Sequence, residues 1–211
     1  MESTPKSTVR TGIMDYSLTD LDRDSWQQLH TAPSQKDSYF KTFTMATTTP
    51  DGAPDARMVV LRQVDETSRT LWFHTDVRAQ KVTHLHRNPQ AVLLFWDEKE
   101  QVQLRCRVST TIHTTDAMAN EQWASTWEGS RKMYLSEHEP GSSQLEPYPG
   151  FPAYFGEKLP TRDESEAGRT NFAVVECRVL EMDYLHLSRA GQTRARFDYG
   201  GETVSRQWLA P

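Results

Sequence analysis

The feature that most constrains the fold is a series of short apolar runs that repeat every two residues and are separated by turn sequences. The first two, within residues 39–49 and 56–64, flank the turn PDG. A third, TLWFHT, occupies residues 70–75, and two more lie at 90–97 and 101–113 around the charged turn DEKE. Runs of this period joined by short turns predict antiparallel hairpins. Five strands in the first half of the chain therefore predict a barrel or a sandwich.

Three helices are also predicted: one before the first strand, one between the third and fourth strands, and one after the fifth strand. In the first, leucine and tryptophan recur at about helical spacing, and Thr19 or Asp20 is placed to cap it. The second ends before Pro89, which cannot continue a helix, and Thr114 or Thr115 is expected at the start of the third. The three predicted segments are residues 18–33, 77–87 and 114–127.

The carboxyl-terminal half completes the sheet after a long excursion. Residues 136–168 hold five prolines and four glycines, too many for one continuous element. Three further strands are predicted after it, with Gly200 and Gly201 as the turn between the last two. We therefore predict a mainly β fold with flanking helices (α+β), as one domain over residues 16–211. Residues 1–15 are polar and are expected to form a flexible arm.

Composition excludes several classes of function. The net charge of -5 disfavours a nucleic-acid-binding surface, and Trp72 and Trp96 fall in strands that should be core. The chain has two cysteines without a CxxC motif, and the run AVLLFW is too short to span a bilayer. His84 and His86 point apart on a helix and are expected at the surface, so no metal site is predicted. Without an apolar leader, a reducing cytoplasm is the simplest location.

Two groups of cations suggest a phosphate-bearing ligand. Arg57 and Arg62 bracket an apolar run and, five residues apart on a strand, face opposite sides roughly 16 Å apart. This span suits a long flat ligand, although both arginines could instead extend to solvent at a barrel rim and bind nothing. Arg78, Gln80 and Lys81 open the second predicted helix, where a phosphate would also meet free backbone N–H groups. The alternative for this second group is a solvated helix start.

Four segments in order carry a resemblance to a known family. RMVVLR, FHTDVRAQKVTHLHRNPQAVLLFW, EQVQLRCRV and the terminal WLAP resemble the pyridoxamine 5'-phosphate oxidase superfamily, which are FMN-binding split β-barrels of antiparallel Greek-key type. The resemblance extends from about residue 20 to residue 211. It implies FMN as cofactor, a homodimer with FMN at the subunit interface, and a small-molecule substrate.

The resemblance assigns cofactor roles to individual residues. Arg57 and Lys81 would hold the FMN phosphate, and Gln101 would hydrogen-bond the flavin ring. Arg196 would be the arginine nearest the cofactor in the carboxyl-terminal part, and Ser142 would reach the cofactor of the partner subunit. The positions assigned to cofactor binding are Arg57, Met58, Val59, Val60, Leu61, Arg62, His74, Thr75, Gln80, Lys81, Gln101, Ser142 and Arg196.

The sequence departs from the family pattern in several places. Arg62 replaces a lysine, His74 stands where the family has tyrosine, and Tyr184 stands where it has tryptophan. The interval that supplies a substrate arginine and histidine in the oxidase reads Gln192, Thr193, Arg194. The resemblance therefore supports the cofactor more strongly than the vitamin B6 substrate.

These features predict an FMN-dependent oxidoreductase with an unassigned substrate, using oxygen or a nicotinamide donor as its second partner. Two alternatives stay open. One is a genuine pyridoxamine/pyridoxine 5'-phosphate oxidase that releases hydrogen peroxide, and the other is a flavin-binding module with little turnover. If the protein has an anionic substrate, Arg62, Arg131, Tyr134 and Arg194 should converge on it. In a binding module the same side chains should face solvent.

Overall fold

The fold was analysed in a computed structural model, which describes residues 16–211; the predicted arm at residues 1–15 lies outside the described residues. The strands are β1 (Thr42–Thr48), β2 (Pro54–Asp65), β3 (Thr70–Asp76), β4 (Gln90–Asp97), β5 (Val102–His113), β6 (Phe172–His186), β7 (Thr193–Asp198) and β8 (Ser205–Leu209). The α-helices are α1 (Leu18–Thr31), α2 (Gln80–Arg87), α3 (Ala117–Ser125), α4 (Glu128–Arg131) and α5 (Arg162–Glu166). No helix within residues 16–211 combines the length and apolarity needed to cross a membrane.

All these strands belong to one antiparallel sheet, ordered β3-β2-β1-β4-β5-β6-β7-β8. An additional pairing of β3 with β6 closes the first six strands into a barrel, while β7 and β8 extend the sheet beyond it. The order β3-β2-β1-β4 is that of a Greek key, in which the fourth strand returns beside the first. The predicted antiparallel barrel with flanking helices is confirmed, and the closure excludes the sandwich alternative.

The alternating sequence of the strands builds the core. In β1, Phe43 and Met45 are buried, and in β4, Leu93 and Phe95 are buried, with less buried residues between them. The rings of Phe43 and Phe95 lie 4.8 Å apart inside the barrel. A period of two thus places one face of each strand in a shared interior.

A second, smaller cluster lies outside the main core. It is formed by Trp72 of β3, Phe172 and Val174 of β6, Trp123 of α3 and Tyr134. The ring of Trp123 lies 5.0 Å from that of Phe172 and 5.9 Å from that of Tyr134. This cluster fixes α3 against β3 and β6.

Two helices are capped by residues other than those predicted. Ser17 caps α1, and its hydroxyl accepts a hydrogen bond from the Asp20 N–H at 3.1 Å. Asp116 caps α3 because the chain stays in β5 as far as His113, whose Nδ1 lies 2.6 Å from the Asp116 carboxylate. The sequence predicts caps at Thr19 or Asp20 for α1 and at Thr114 or Thr115 for α3, and both predictions are wrong.

Two burial predictions are also wrong. His84 is only 6% exposed, because its side of α2 packs on β1 rather than facing solvent. Trp96 is 38% exposed, because the alternation of β4 turns it away from the interior that Phe95 fills. Trp72 is buried as predicted, but in the smaller cluster outside the barrel.

Candidate functional site

The guanidinium of Arg57 is held among polar groups near one end of the barrel. Arg57 pairs with the buried Met45 across β2 and β1. Its Nη1 donates to the Met45 carbonyl at 3.2 Å and to Thr47 Oγ1 at 2.7 Å, and its Nη2 forms an ion pair with Asp55. The side chain is 20% exposed. Arg57 is therefore positioned by its neighbours and does not extend freely into solvent.

Lys81 lies in the first turn of α2, close to Arg57. Its Nζ donates to Thr75 Oγ1 at 3.1 Å. Burial, and after it the positive charge of Arg57, lowers the pKa of the Lys81 ammonium, while Asp76 and Asp55 oppose this shift. Two cations near enough to repel each other in a half-buried setting favour the binding of an anion between them.

The start of α2 adds uncharged hydrogen-bond donors to this pair. Gln80 is the first residue of α2, and Ala79 before it provides no side-chain cap, so N–H groups of the first turn are left for another acceptor. Arg78 contributes less than predicted, since it donates to the Asp76 carboxylate at 2.7 Å and to the Ser136 carbonyl at 3.0 Å. We call Arg57, Thr75, Gln80 and Lys81 the cation cluster.

The excursion approaches the cation cluster within one chain. A Cβ atom placed on Gly141 would lie 3.9 Å from the side-chain nitrogen of Gln80. Ser142 follows Gly141, is exposed, and donates to the Glu139 carbonyl at 2.8 Å. The excursion therefore brings the residue next to Ser142 beside the same chain's α2, and a role for Ser142 toward a partner's cofactor stays a prediction.

Arg62 occupies an irregular point of β2. The pairing of β2 with β3 shifts register between Leu61 and Gln63, so Arg62 lies in a β-bulge with an exposed side chain. The positive charge of Arg62 acts on His74 and Tyr134. It lowers the pKa of the His74 imidazole, as burial also does, and it partly offsets the rise that burial causes in the pKa of the Tyr134 hydroxyl. The bulge thus directs a cation toward the smaller aromatic cluster.

His74 is a half-buried, uncharged ring near the charge of Arg62. Its Nε2 lies 3.1 Å from Gln122 Oε1, and its ring meets Phe172 edge-on at 4.8 Å. Burial lowers the pKa of the imidazole from 6.5 to about 4, and the nearby Arg62 charge adds to this shift. At neutral pH His74 is therefore neutral and can exchange hydrogen bonds without adding charge.

The pKa of His74 predicts a pH dependence of stability. The folded protein disfavours the protonated His74 ring, so between about pH 4 and 6.5 the unfolded protein binds more protons than the folded protein. The free energy of unfolding therefore falls as pH falls through this range. We expect the unfolding free energy to drop by about 2 kcal/mol more in the parent than in His74→Gln between about pH 7 and about pH 5. Urea unfolding at both pH values checks this, with the exposed His86→Gln as control. Equal losses in parent and His74→Gln would contradict the assignment.

The four side chains predicted to converge on an anionic substrate do not converge within one chain. Arg131 is fully buried, and its guanidinium donates to the Glu166 carboxylate at 2.6 Å, to Ser165 Oγ at 3.2 Å and to the Trp123 carbonyl. It also lies over the Trp123 ring at 4.3 Å. Arg131 thus joins α4, α3 and α5 from the interior, and its buried Nε is the guanidinium nitrogen that has no hydrogen-bond partner.

The other predicted substrate residues differ in setting. Arg194 of β7 is paired with the buried Asp183 at 2.9 Å, but Arg105 shares the same carboxylate at 3.0 Å, so the two arginines keep one net positive charge. Tyr134 belongs to the smaller aromatic cluster, and burial raises the pKa of its hydroxyl. Arg62 acts electrostatically on Tyr134, and Arg131 and Tyr134 both pack against the Trp123 ring. Substrate contact by any of them stays a prediction.

Two predicted cofactor residues lie apart from the cation cluster. Gln101 sits in the turn before β5 with φ of 54°, and its side chain donates to the Glu98 carbonyl at 2.7 Å. Arg196 of β7 lies 3.6 Å from Glu181, yet its buried Nε has no hydrogen-bond partner. Across residues 16–211, no hydrogen bond or ion pair connects either residue to the cation cluster. The chain therefore presents two separate parts of the predicted site.

Sequence reasoning missed the partners that hold Arg57. Asp55 lies two residues before Arg57, so the period of two places both on one face of β2, and this spacing alone could have identified it. Thr47 and His84 come from β1 and α2, and only the packing of α2 on β1 brings them together. No local sequence signal predicts the contact between Thr47 and His84.

The residues matched by a family model decide which family this is. The model described as pyridoxamine 5'-phosphate oxidase matches residues 37–149, more than half of the chain. The chain belongs to this family. The matched segment includes Arg57 and the whole of α2.

Individual relatives match over shorter stretches. A pyridoxine/pyridoxamine 5'-phosphate oxidase of Trichormus variabilis is 46% identical over 67 residues, which are 31% of this chain and 30% of the relative. One from Burkholderia lata is 36% identical over 111 residues, which are 46% of this chain and 50% of the relative. The matches thus span half or less of the length of these relatives.

Solved structures share the whole fold. An FMN-binding protein from Nostoc punctiforme, described as related to pyridoxamine 5'-phosphate oxidase, superposes with a TM-score of 0.72 at 19% identity, covering 90% of this chain and 97% of the other. PhzG from Burkholderia lata, in complex with tetrahydrophenazine-1-carboxylic acid, gives a TM-score of 0.61 at 17% identity and covers 81% of this chain and 82% of its own. At these identities the likeness establishes the fold as that of the FMN-binding split barrels.

Proposed function

We propose that this protein binds FMN and acts as an FMN-dependent oxidoreductase. The observation that carries the proposal is the cation cluster. Arg57 and Lys81 interact electrostatically in a half-buried setting, beside uncapped N–H groups at the start of α2. A phosphate dianion would meet two cations and backbone donors there, which is the chemistry that holds nucleotide phosphates in proteins.

A second copy of the chain would supply the rest of the site. Arg196 carries a buried Nε that lies 3.6 Å from the Glu181 carboxylate but forms no hydrogen bond within the chain, so this donor would be available to an acceptor from outside the chain. Met58 of β2 and Trp96 of β4 are 62% and 38% exposed, and covering such apolar side chains favours association. We propose a homodimer in which the cation cluster of one copy and the Gln101 and Arg196 side chains of the other contact one FMN.

The protein's own contribution would be electrostatic and positional. When bound, FMN supplies the two-electron chemistry of the reaction. Arg62 would place a positive charge near the ring edge, where it stabilises negative charge that develops during reduction. His74 stays neutral at working pH and would keep Gln122 oriented beside it without adding charge.

The setting of the residues predicted to contact the substrate favours an electron donor other than a vitamin B6 phosphate. Arg194 shares the Asp183 carboxylate with Arg105, and Arg131 is buried against Glu166, so both arginines are held by partners of their own chain and not directed together at a substrate phosphate. Family membership itself favours the second candidate, a genuine pyridoxamine/pyridoxine 5'-phosphate oxidase that releases hydrogen peroxide. A flavin-binding module with little turnover is the third, since the Arg62 side chain is exposed, as expected of a protein in which no substrate binds beside the ring.

The absorbance spectrum of the purified protein tests these candidates. We expect a flavin band, present on purification or restored by FMN, that persists when pyridoxamine 5'-phosphate is added without oxygen. Bleaching by a nicotinamide donor would then support the oxidoreductase, and persistence with every donor tried would favour the binding module. Bleaching by pyridoxamine 5'-phosphate, but not by unphosphorylated pyridoxamine, would establish the second candidate. Absence of flavin even after FMN is added would contradict the proposal.

A further inference from the structure

Arg57, the arginine proposed to hold the FMN phosphate, already forms an ion pair with a carboxylate. Asp55 and Arg57 lie on the same face of β2, and the Asp55 carboxylate forms an ion pair with Arg57 Nη2. A phosphate bound at Nη2 would compete with this carboxylate for the same N–H groups, and the two anions would repel each other. Phosphate binding at Arg57 must therefore either displace Asp55 or tolerate its negative charge.

A buried histidine touches both groups that hold this arginine. The Nδ1 atom of His84 lies 3.0 Å from Thr47 Oγ1 and 3.7 Å from an Asp55 carboxylate oxygen. Thr47 Oγ1 in turn accepts the hydrogen bond of Arg57 Nη1 at 2.7 Å. A neutral His84 can accept a hydrogen bond from the Thr47 hydroxyl, whereas a protonated His84 becomes a donor and offers Asp55 a second cation.

Charged and titratable groups surround His84 both from the β1–β2 hairpin and from its own helix, α2. From the β1–β2 side it faces Asp55 with its partner Arg57, and Asp51 of the turn, whose pKa the His84 charge helps to lower. From its own helix the charged or titratable neighbours are Lys81, His86 and Arg87. Of these carboxylates, Asp55 contacts both His84 and Arg57, so a proton gained by His84 acts on the Asp55–Arg57 pair.

We propose that Asp55 and His84 are positioning residues that set the affinity of Arg57 for phosphate. With His84 neutral, Asp55 holds Arg57 as its counter-ion and competes with phosphate. With His84 protonated, the imidazolium shares the Asp55 carboxylate and leaves more of the guanidinium to the phosphate. The inference rests on the proposed function, because the phosphate it considers is that of FMN.

The test is the dissociation constant of FMN between about pH 6.5 and about pH 8, the upper range in which histidines change charge. We expect the parent to lose about three- to tenfold more affinity over this range than His84→Gln, which keeps hydrogen-bonding atoms but cannot charge. Asp55→Asn should bind FMN about tenfold more tightly than the parent at the higher pH. Because the phosphate itself titrates near pH 6, the comparison is always between parent and variant.

Two controls separate this inference from the proposed function. Riboflavin lacks the phosphate, so its affinity should be unaffected by Asp55→Asn, and Asp51→Asn removes a nearby charge that does not touch Arg57. Equal pH profiles for parent and His84→Gln, together with unchanged or weaker FMN binding by Asp55→Asn, would overturn the inference while leaving FMN binding in place. Absence of flavin binding by the parent at every pH would overturn the proposed function and this inference with it.

Discussion

Replacing Arg57 and Lys81 together by alanine is expected to strip FMN from the protein while leaving its fold intact. Each cation would donate charge-assisted hydrogen bonds to the phosphate, worth about 1.5–3 kcal/mol apiece. Their joint loss should weaken FMN binding by about 100-fold or more. Both side chains lie at the edge of the barrel core, so the apolar interior is unchanged by the substitutions.

Flavin content after purification and a fluorescence titration with FMN measure this effect. Circular dichroism and gel filtration report whether the fold and the assembly state are retained. The matched control is Arg87→Ala with Lys99→Ala, which removes two exposed cations outside the cation cluster and should leave affinity within about twofold. Equal flavin content in the Arg57/Lys81 variant and the parent would rule out the phosphate assignment.

Replacing Arg131 by methionine is expected to lower the free energy of unfolding by about 3 kcal/mol. Methionine fills part of the volume but removes the Arg131 donors to the Ser165 hydroxyl and to the Trp123 carbonyl, which keeps only the Thr126 N–H, and it removes the cation that lies over the Trp123 ring. The Glu166 carboxylate is half-exposed and is expected to contribute little to this loss.

Urea unfolding measures the change in Arg131→Met. Arg162→Met is the matched control, because Arg162 forms a comparable ion pair with Glu128 but is about half-exposed, and it should cost less than about 1 kcal/mol. A fully stable Arg131→Met protein with a raised KM for its substrate would show instead that Arg131 contacts the substrate.

Those parts of the fold that depend on local pattern could be predicted from the sequence. The run TLWFHT became β3 with one additional residue, and residues 90–97 became β4 with the predicted bounds. Helix α2 ends at Arg87, before Pro89, as its sequence indicates. Apolar alternation and proline act over a few residues, so they are visible without knowledge of the rest of the chain.

What could not be predicted depends on contacts between distant segments. The pairing of Thr70 with Arg178 helps to close the barrel across more than a hundred residues, and no local pattern encodes it. Arg131 looks like a surface cation in sequence, yet α3 and α5 enclose it. Such burial is decided by tertiary packing, which overrides the polarity of a single side chain.

In the candidate site, too, features set by local sequence could be predicted and features set by contacts between distant segments could not. The spacing of Arg57 and Arg62 indicated two separated cations, but not the bulge that directs Arg62 toward His74 and Tyr134. Family resemblance indicated that Arg57 and Lys81 act together, and the structure brings the two cations close to each other. Whether a cofactor phosphate binds there is the central claim of the proposed function.

The relative affinity of the unmodified protein for FMN and riboflavin tests that claim most directly. The two ligands share the flavin ring and differ in the phosphate, so their dissociation constants isolate what the cation cluster contributes. With two cations and the start of α2 around the phosphate, FMN should bind about 100-fold or more tightly than riboflavin at neutral pH. Equal affinities for the two flavins would contradict phosphate recognition by Arg57 and Lys81.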